Sequence, residues 1–249
     1  MTVLEAILIG LIQGLTEFLP VSSSGHIILA ERLLGVQSEL SFALMLHLAT
    51  LLAVFLVMRR EIWEVARTPK KWGPLIVATV ASALVVFACN DLFKSAFDGK
   101  YLATCFLITA VMLLVSGLAK PKKQEITYFD AAIIGCVQGF AAMPGISRSG
   151  STVSTSVLLG NERSTSVAFS FLLSIPIIVG SAFIDIITEG LGSIQFLPLF
   201  FGFISAFISG LGAIKLMLKL TANACDWFAI YLTVLSSFLI VNDLFLHLF

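Results

Sequence analysis

The chain has 249 residues, 58% of them hydrophobic and 12% charged, with a mean hydropathy of +1.03. Soluble domains carry about 25% charged residues, so this composition excludes a water-soluble globular protein and indicates one integral to a membrane. The 15 basic and 15 acidic residues cancel and no nucleic-acid partner is indicated, so the positions of the charges matter more than their sum.

The first apolar region, Leu4–Leu34, is cut near its middle by PVSSSGH at 20–26. Its opening stretch has no basic leader, carries Glu5 early and lacks an A-x-A-like end. We therefore read it as part of a single membrane domain over 1–249 and not as a signal peptide. A membrane-spanning helix needs roughly 20 apolar residues, with a range of about 17–25. Three such segments follow: Ser41–Met58, Pro74–Phe93 and Tyr101–Leu118. A second interrupted region, Asp130–Leu159, is cut by PGISRSGS at 144–151, and the spans Val167–Ile187, Phe196–Leu218 and Trp227–Phe249 complete the chain. Each half of an interrupted region is too short to span. Paired half-helices of this kind form re-entrant hairpins, tolerated in a bilayer only where protein or a cavity surrounds them. The expected fold is an all-α polytopic membrane protein of six transmembrane helices and two re-entrant helical hairpins. Cys89, Cys105, Cys136 and Cys225 lie in or beside apolar runs without CxxC spacing and read as packing residues.

The interrupted regions repeat one another. Shifted by 125 positions, Ile9, Gly10, Gln13, Gly14, Ser22, Ser24 and Gly25 fall on Ile134, Gly135, Gln138, Gly139, Ser147, Ser149 and Gly150. Repeat 1 runs over about 1–118 and repeat 2 over about 126–249. Three spans between them force the second to enter from the opposite face, so the repeats are inverted and their hairpin tips are expected to meet within the bilayer. Arg59, Arg60, Arg67, Lys70, Lys71, Lys120, Lys122, Lys123, Arg163, Lys215 and Lys219 fall on one side, against Arg32, Lys94 and Lys100 on the other. The positive-inside rule makes the first side cytoplasmic and opens the first hairpin to the outside. Arg148 belongs to neither side and is the intramembrane charge.

The meeting tips would bring Gln13, Glu17, Ser22, Ser23, Ser24 and His26 to Gln138, Ser147, Arg148, Ser149, Ser151 and Thr152. Gln13 and Glu17, four residues apart, share a helix face. Each serine cluster precedes an apolar run, where an N-cap belongs. Two helix N-termini and a guanidinium then converge on an anion, best a phosphate or diphosphate. Glu17 beside such a site makes sense with a bridging divalent cation, and a serine near a histidine fits a nucleophile with its acid or base. His47, without charged neighbours in sequence, reads as structural or supporting, and His247 receives no role. Gly10-x₃-Gly14 and Gly135-x₃-Gly139 read as close helix packing between the repeats. The rival reading is a carrier or flippase for a phosphate-bearing lipid or anion, which needs Arg148 and the helix ends but not Ser23 or His26.

Two motifs carry a family resemblance. Gln13-Gly-Leu-Thr-Glu17-Phe-Leu-Pro-Val-Ser-Ser-Ser-Gly-His26 and Pro144-Gly-Ile-Ser-Arg-Ser-Gly-Ser-Thr152 resemble the two signatures of the bacterial undecaprenyl-diphosphate phosphatases, the bacitracin-resistance family. Asn161-Glu-Arg163 and Phe169-Ser-Phe-Leu-Leu-Ser-Ile-Pro176 are similar to that family too. The resemblance implies hydrolysis of undecaprenyl diphosphate to the monophosphate and inorganic phosphate, recycling the lipid carrier of peptidoglycan synthesis and conferring bacitracin resistance. It implies a divalent cation, Mg²⁺ or Ca²⁺, and a site in the bacterial cell membrane reached from the outer leaflet. By position, the catalytic set is Glu17, Ser23, His26, Ser147, Arg148 and Thr152, with Ser23 as nucleophile and His26 as acid/base. Gln13, Ser22, Ser24, Gly145, Ser149, Gly150 and Ser151 would bind substrate. The family's acidic motif has Glu or Gln and then Glu four residues on; Gln13 leaves Glu17 as the metal-binding acid. A homodimer is open, though no segment demands it.

Overall fold

The computed structural model describes residues 1–96, 99–190, 195–219 and 222–246. Backbone polar groups in hydrocarbon must be satisfied within the segment, which favours helices. Twelve helices follow: α1 Val3–Phe18, α2 Ser23–Leu34, α3 Leu40–Val57, α4 Arg59–Arg67, α5 Pro69–Ala88, α6 Asn90–Ala96, α7 Leu102–Gly117, α8 Tyr128–Phe140, α9 Arg148–Leu158, α10 Arg163–Glu189, α11 Phe196–Lys219 and α12 Ala222–Val241. A π-helical turn, Asn242–Leu246, extends α12.

Among the described residues, five helices are long and apolar enough to cross a membrane: Leu40–Val57, Pro69–Ala88, Arg163–Thr188, Phe196–Lys219 and Cys225–Phe245. The protein is therefore an integral membrane protein. Apolar α7 has only 16 residues, about 24 Å at 1.5 Å per residue. The second span sits further N-terminal than Pro74–Phe93: Pro69 starts it at a first-turn position where its missing N–H costs nothing, and it stops at Ala88 before a separate α6. The basic stretch after α3 forms a helix of its own, α4, with no buried residue. His247 and the end of the expected last span lie outside the described residues.

Both interrupted regions break where the Pro/Ser/Gly clusters fall. Thr2 and Glu5 close a capping box at the start of α1, and Thr127 and Asp130 close one at the start of α8. Across the breaks, Ser22 caps α2 by accepting from Gly25 N at 3.4 Å, and Ser147 caps α9 by accepting from Gly150 N at 3.0 Å. All four equivalences keep the same spacing of 125 residues.

Small residues let the broken helices approach long ones closely. Gly10 and Gly14 of α1 lie against Gly202, Ala206 and Gly210 of α11, and Gly135 and Gly139 of α8 lie against Ala78, Ser82 and Val85 of α5. A Cβ at any of these four glycines would run into the facing helix. Each broken helix thus rests on a long helix from the other half of the chain. Two apolar cores flank the breaks. One joins Phe18, Val54, Met58, Val153, Phe171 and Ile214; the other joins Val21, Leu29, Phe106, Leu113 and Leu232.

At the foot of the second hairpin, Lys123 lies 3.5 Å from the buried Asp130 carboxylate, while its carbonyl accepts from Glu162 N at 2.8 Å. Arg163 donates to Ser116 O at 3.1 Å and to Cys225 Sγ at 3.4 Å. Asn161-Glu-Arg163 therefore ties the ends of α7, α9 and α12 together.

Candidate active site

The two breaks meet. Ser22 Oγ accepts from Gly145 N at 3.1 Å, and Ser149 Oγ donates to Leu19 O at 3.0 Å. These bonds set the N-termini of α2 and α9 side by side, with positive dipole ends and first-turn N–H groups close together. Gly145 takes φ 94° and packs its Cα face on Cys105 and Leu102, where a side chain would not fit. Gly25 and Gly150 are buried in the first turns of the two helices, where Gly25 faces Phe106 and Gly145.

Glu17, near the end of α1, is buried to 5% exposure and gathers the polar groups. Its Oε1 accepts from Arg148 Nη2, and its Oε2 accepts from Ser23 Oγ at 2.5 Å and from Gln13 Nε2 at 3.1 Å. A buried carboxylate survives only with such pairing and hydrogen bonding. A guanidinium has five N–H donors, so Arg148, partly open to the surface, retains donors for a phosphate. Ser24 Oγ lies 3.4 Å from Ser22 Oγ, and Ser147 Oγ lies 3.3 Å from Ser149 Oγ. Thr152, one turn into α9, donates to Arg148 O at 2.8 Å and lies 2.6 Å from Ser170 Oγ, so it braces the arginine's backbone. Ser151 Oγ is buried and without a partner among the described residues.

His26 sits on α2 one turn beyond Ser22 and Ser23. Its Nδ1 donates to Ser22 O at 2.7 Å, because that carbonyl can only accept. Ser23 takes Glu17 as partner among the described residues, not His26. His47, read from sequence as structural or supporting, brings its Nε2 to 4.0 Å from Glu17 Oε2 while its Nδ1 bonds Ala43 O at 2.9 Å. The structure thus brings Gln13, Ser23, Arg148 and His47 to Glu17, with Ser151 and Thr152 turned into the protein. Gln138, expected at the meeting tips, instead donates Nε2 to Ser82 Oγ of α5 at 3.3 Å.

Three further residues had no role assigned from the sequence. Thr109 of α7 receives Ser147 N at 3.0 Å and donates to Gly145 O at 3.2 Å, holding the second break. Ser170 of α10 backs Thr152, and Tyr231 of α12 reaches His26. Thr109 and Tyr231 are hydroxyls in apolar helices that no local pattern marks, whereas Ser170 lies in the Phe169–Pro176 stretch that resembles the family.

No three His, Cys, Asp or Glu side chains among the described residues converge on a metal-sized site. One carboxylate can still serve a hard cation that takes its remaining ligands from substrate phosphate and water. Gln13 Oε1 is buried and unpartnered beside Glu17, an oxygen donor of the kind such a cation accepts. The residues fit a divalent cation shared with a phosphate-bearing substrate.

The family model of the bacitracin resistance protein BacA matches residues 6–238. An undecaprenyl-diphosphatase of Christiangramia forsetii is 39% identical, covering 93% of this chain and 94% of its own. One from Carboxydothermus hydrogenoformans is 37% identical over 95% of this chain and 96% of its own, and one from Methanococcus maripaludis is 32% identical over 97% and 100%. The match runs through both breaks and the residues around Glu17 and Arg148, and the chain belongs to the bacitracin resistance protein BacA family.

Proposed function

We propose that this protein is an integral membrane phosphatase that hydrolyses undecaprenyl diphosphate to undecaprenyl phosphate and inorganic phosphate. That reaction returns the lipid carrier to peptidoglycan synthesis and gives resistance to bacitracin. The observation that carries the reading is the chain Ser23–Glu17–Arg148, centred on a buried carboxylate: a hydroxyl on a carboxylate, next to a guanidinium and two helix N-termini. A binding site for an anion has no need of the first link.

Ser23 acts as nucleophile, its proton passing to Glu17 as Oγ bonds to the terminal phosphorus. The bond from that phosphorus to the bridging oxygen breaks, and undecaprenyl phosphate leaves. Water then hydrolyses the phosphoserine and releases inorganic phosphate. Arg148 and the N–H groups of α2 and α9 hold the oxygens that gain charge, and His26 serves as acid/base in the second step. Its Nε2 exchanges the resting Tyr231 hydroxyl for the attacking water and takes that water's proton, while Glu17 returns its own to Ser23 Oγ. Gln13 and Glu17 would hold the divalent cation, Mg²⁺ or Ca²⁺, together with the substrate. When bound, it neutralises diphosphate charge. Ser22, Ser24, Gly145, Ser149 and Gly150 line the substrate's phosphates. Ser147 and Thr152 keep α9 and Arg148 in place.

The finer architecture is part of the same proposal: six spans, with α7 as the short one, and two re-entrant hairpins, α1–α2 and α8–α9, in an inverted repeat. The matched caps, the matched glycines and the exchanged packing of α1 on α11 and α8 on α5 support it. The eleven-to-three division of basic residues supports a mouth on the outer-leaflet side of the cell membrane.

Phosphate release from undecaprenyl diphosphate by purified protein in detergent tests the reading, with Mg²⁺ or Ca²⁺ and then with EDTA, beside Arg148→Ala. Release by wild type that is lost in the variant supports the phosphatase. Absence of release from folded wild type moves the site to a lipid carrier, and transport in liposomes becomes the assay.

A further inference from the structure

His26 is held at both nitrogens. Ser22 O takes the Nδ1 proton, so Nε2 carries the lone pair, and the Tyr231 hydroxyl at 2.7 Å is its donor. The Tyr231 ring also stacks on the imidazole, with centroids 5.7 Å apart and planes 20° apart. Phe106, fully buried, closes the other side edge-on at 5.3 Å. The imidazole therefore has one tautomer and one orientation, and α12 supplies half of what fixes them. Tyr231 comes from the opposite half of the chain, 205 residues from His26. Tyr231 lies within the apolar span Cys225–Phe245, where hydrocarbon offers its hydroxyl no partner, and Nε2 is the acceptor it takes.

We propose that Tyr231 is a positioning residue for the hydrolysis, holding His26 as the Nδ1–H tautomer with Nε2 as the acceptor. This rests on the phosphatase reading given above. The hydroxyl acts through the imidazole and touches neither phosphate nor cation. Its removal therefore lowers turnover and leaves substrate affinity alone, as the loss of other orienting partners of functional histidines does.

The test is Tyr231→Phe, which keeps the ring and its stacking and removes only the hydroxyl. The expected result is a kcat lower by about 10- to 100-fold with KM within about twofold and an unchanged melting temperature. In protein labelled with ¹⁵N-histidine, the His26 Nε2 resonance, assigned by its absence in His26→Gln, moves on the same substitution. An unchanged kcat overturns the proposal. So does a fall in KM with kcat retained, which would make Tyr231 a barrier to the lipid, or an unmoved Nε2 resonance. The nitrogen signal needs no turnover, so failure of wild type to release phosphate counts against the phosphatase reading while the spectrum still decides Tyr231.

Discussion

Glu17 of α1 and Arg148, the first residue of α9, form an ion pair across 131 residues of sequence, and it joins the two breaks at their centre. The carboxylate is buried and the guanidinium only partly so, which makes the two charges unequal in cost. Arg148→Gln strands a buried carboxylate, and breaking a buried pair from one side costs about 3–5 kcal/mol. Glu17→Gln/Arg148→Gln removes both charges and should recover much of that loss. Neither protein should turn over, because the anion site needs the arginine. Thermal unfolding in detergent beside phosphate release would show the split. A double variant destabilised by the sum of its two single variants, Glu17→Gln and Arg148→Gln, would mean that the pair carries no coupling.

Ser23→Ala separates chemistry from binding. Its hydroxyl is the group bonded to Glu17 Oε2, while Arg148 and the helix N-termini stay in place without it. Phosphate release should fall to background, with retained binding of undecaprenyl diphosphate followed by titration calorimetry in detergent. Retained turnover would remove Ser23 as nucleophile.

Much of this site could be read in the chain before any coordinates. Proline, serine and glycine clusters inside apolar runs have few structural meanings, and an arginine in hydrocarbon needs an anion. The repeat then tells which two breaks must meet. The residues that stayed hidden share a different property. Thr109 and Tyr231 act through packing of α7 and α12 against the breaks, and their partners lie 36–38 and 205 residues away. A hydroxyl in an apolar helix usually bonds its own backbone, as Thr79 does to Leu75 O, so sequence gives it no distinguishing mark. The sequence leaves His47 as structural or supporting because its relation to Glu17 depends on how α3 lies beside α1. The expected bounds of the second span failed at both ends, since Pro74 lies inside α5 and Asn90-Asp91 open the separate helix α6.

Ser22 is the non-glycine residue with positive φ among the described residues, at 72°. Such a backbone costs a side chain about 1–3 kcal/mol. Its hydroxyl offsets this by bonding Gly25 N and Gly145 N, each worth about 0.5–1.5 kcal/mol. Ser22→Gly loses the bonds but also the strain, whereas Ser22→Ala loses the bonds and keeps the strain. The alanine variant should therefore unfold at a lower temperature than the glycine variant, and by a wider margin than the same two substitutions give at the unstrained N-cap Ser147, where φ is −74°. A margin at 22 no wider than that at 147 would show that the conformation at 22 stores nothing.

Position 13 tests the cation. Gln13 donates Nε2 to Glu17 Oε2 and leaves Oε1 buried without a partner. Gln13→Glu replaces that donor with a second carboxylate, four residues from the first on one helix face. Without a cation the two negative charges repel, so the variant should melt lower than wild type in EDTA. With Mg²⁺ or Ca²⁺ the added charge strengthens a hard-cation site, since affinity rises with ligand charge. The concentration of cation giving half-maximal phosphate release should fall, and the melting temperature should rise more steeply with cation than in wild type. Wild type itself should lose activity in EDTA and regain it on cation addition. A variant whose melting temperature ignores both EDTA and cation would place any metal elsewhere than between Gln13 and Glu17.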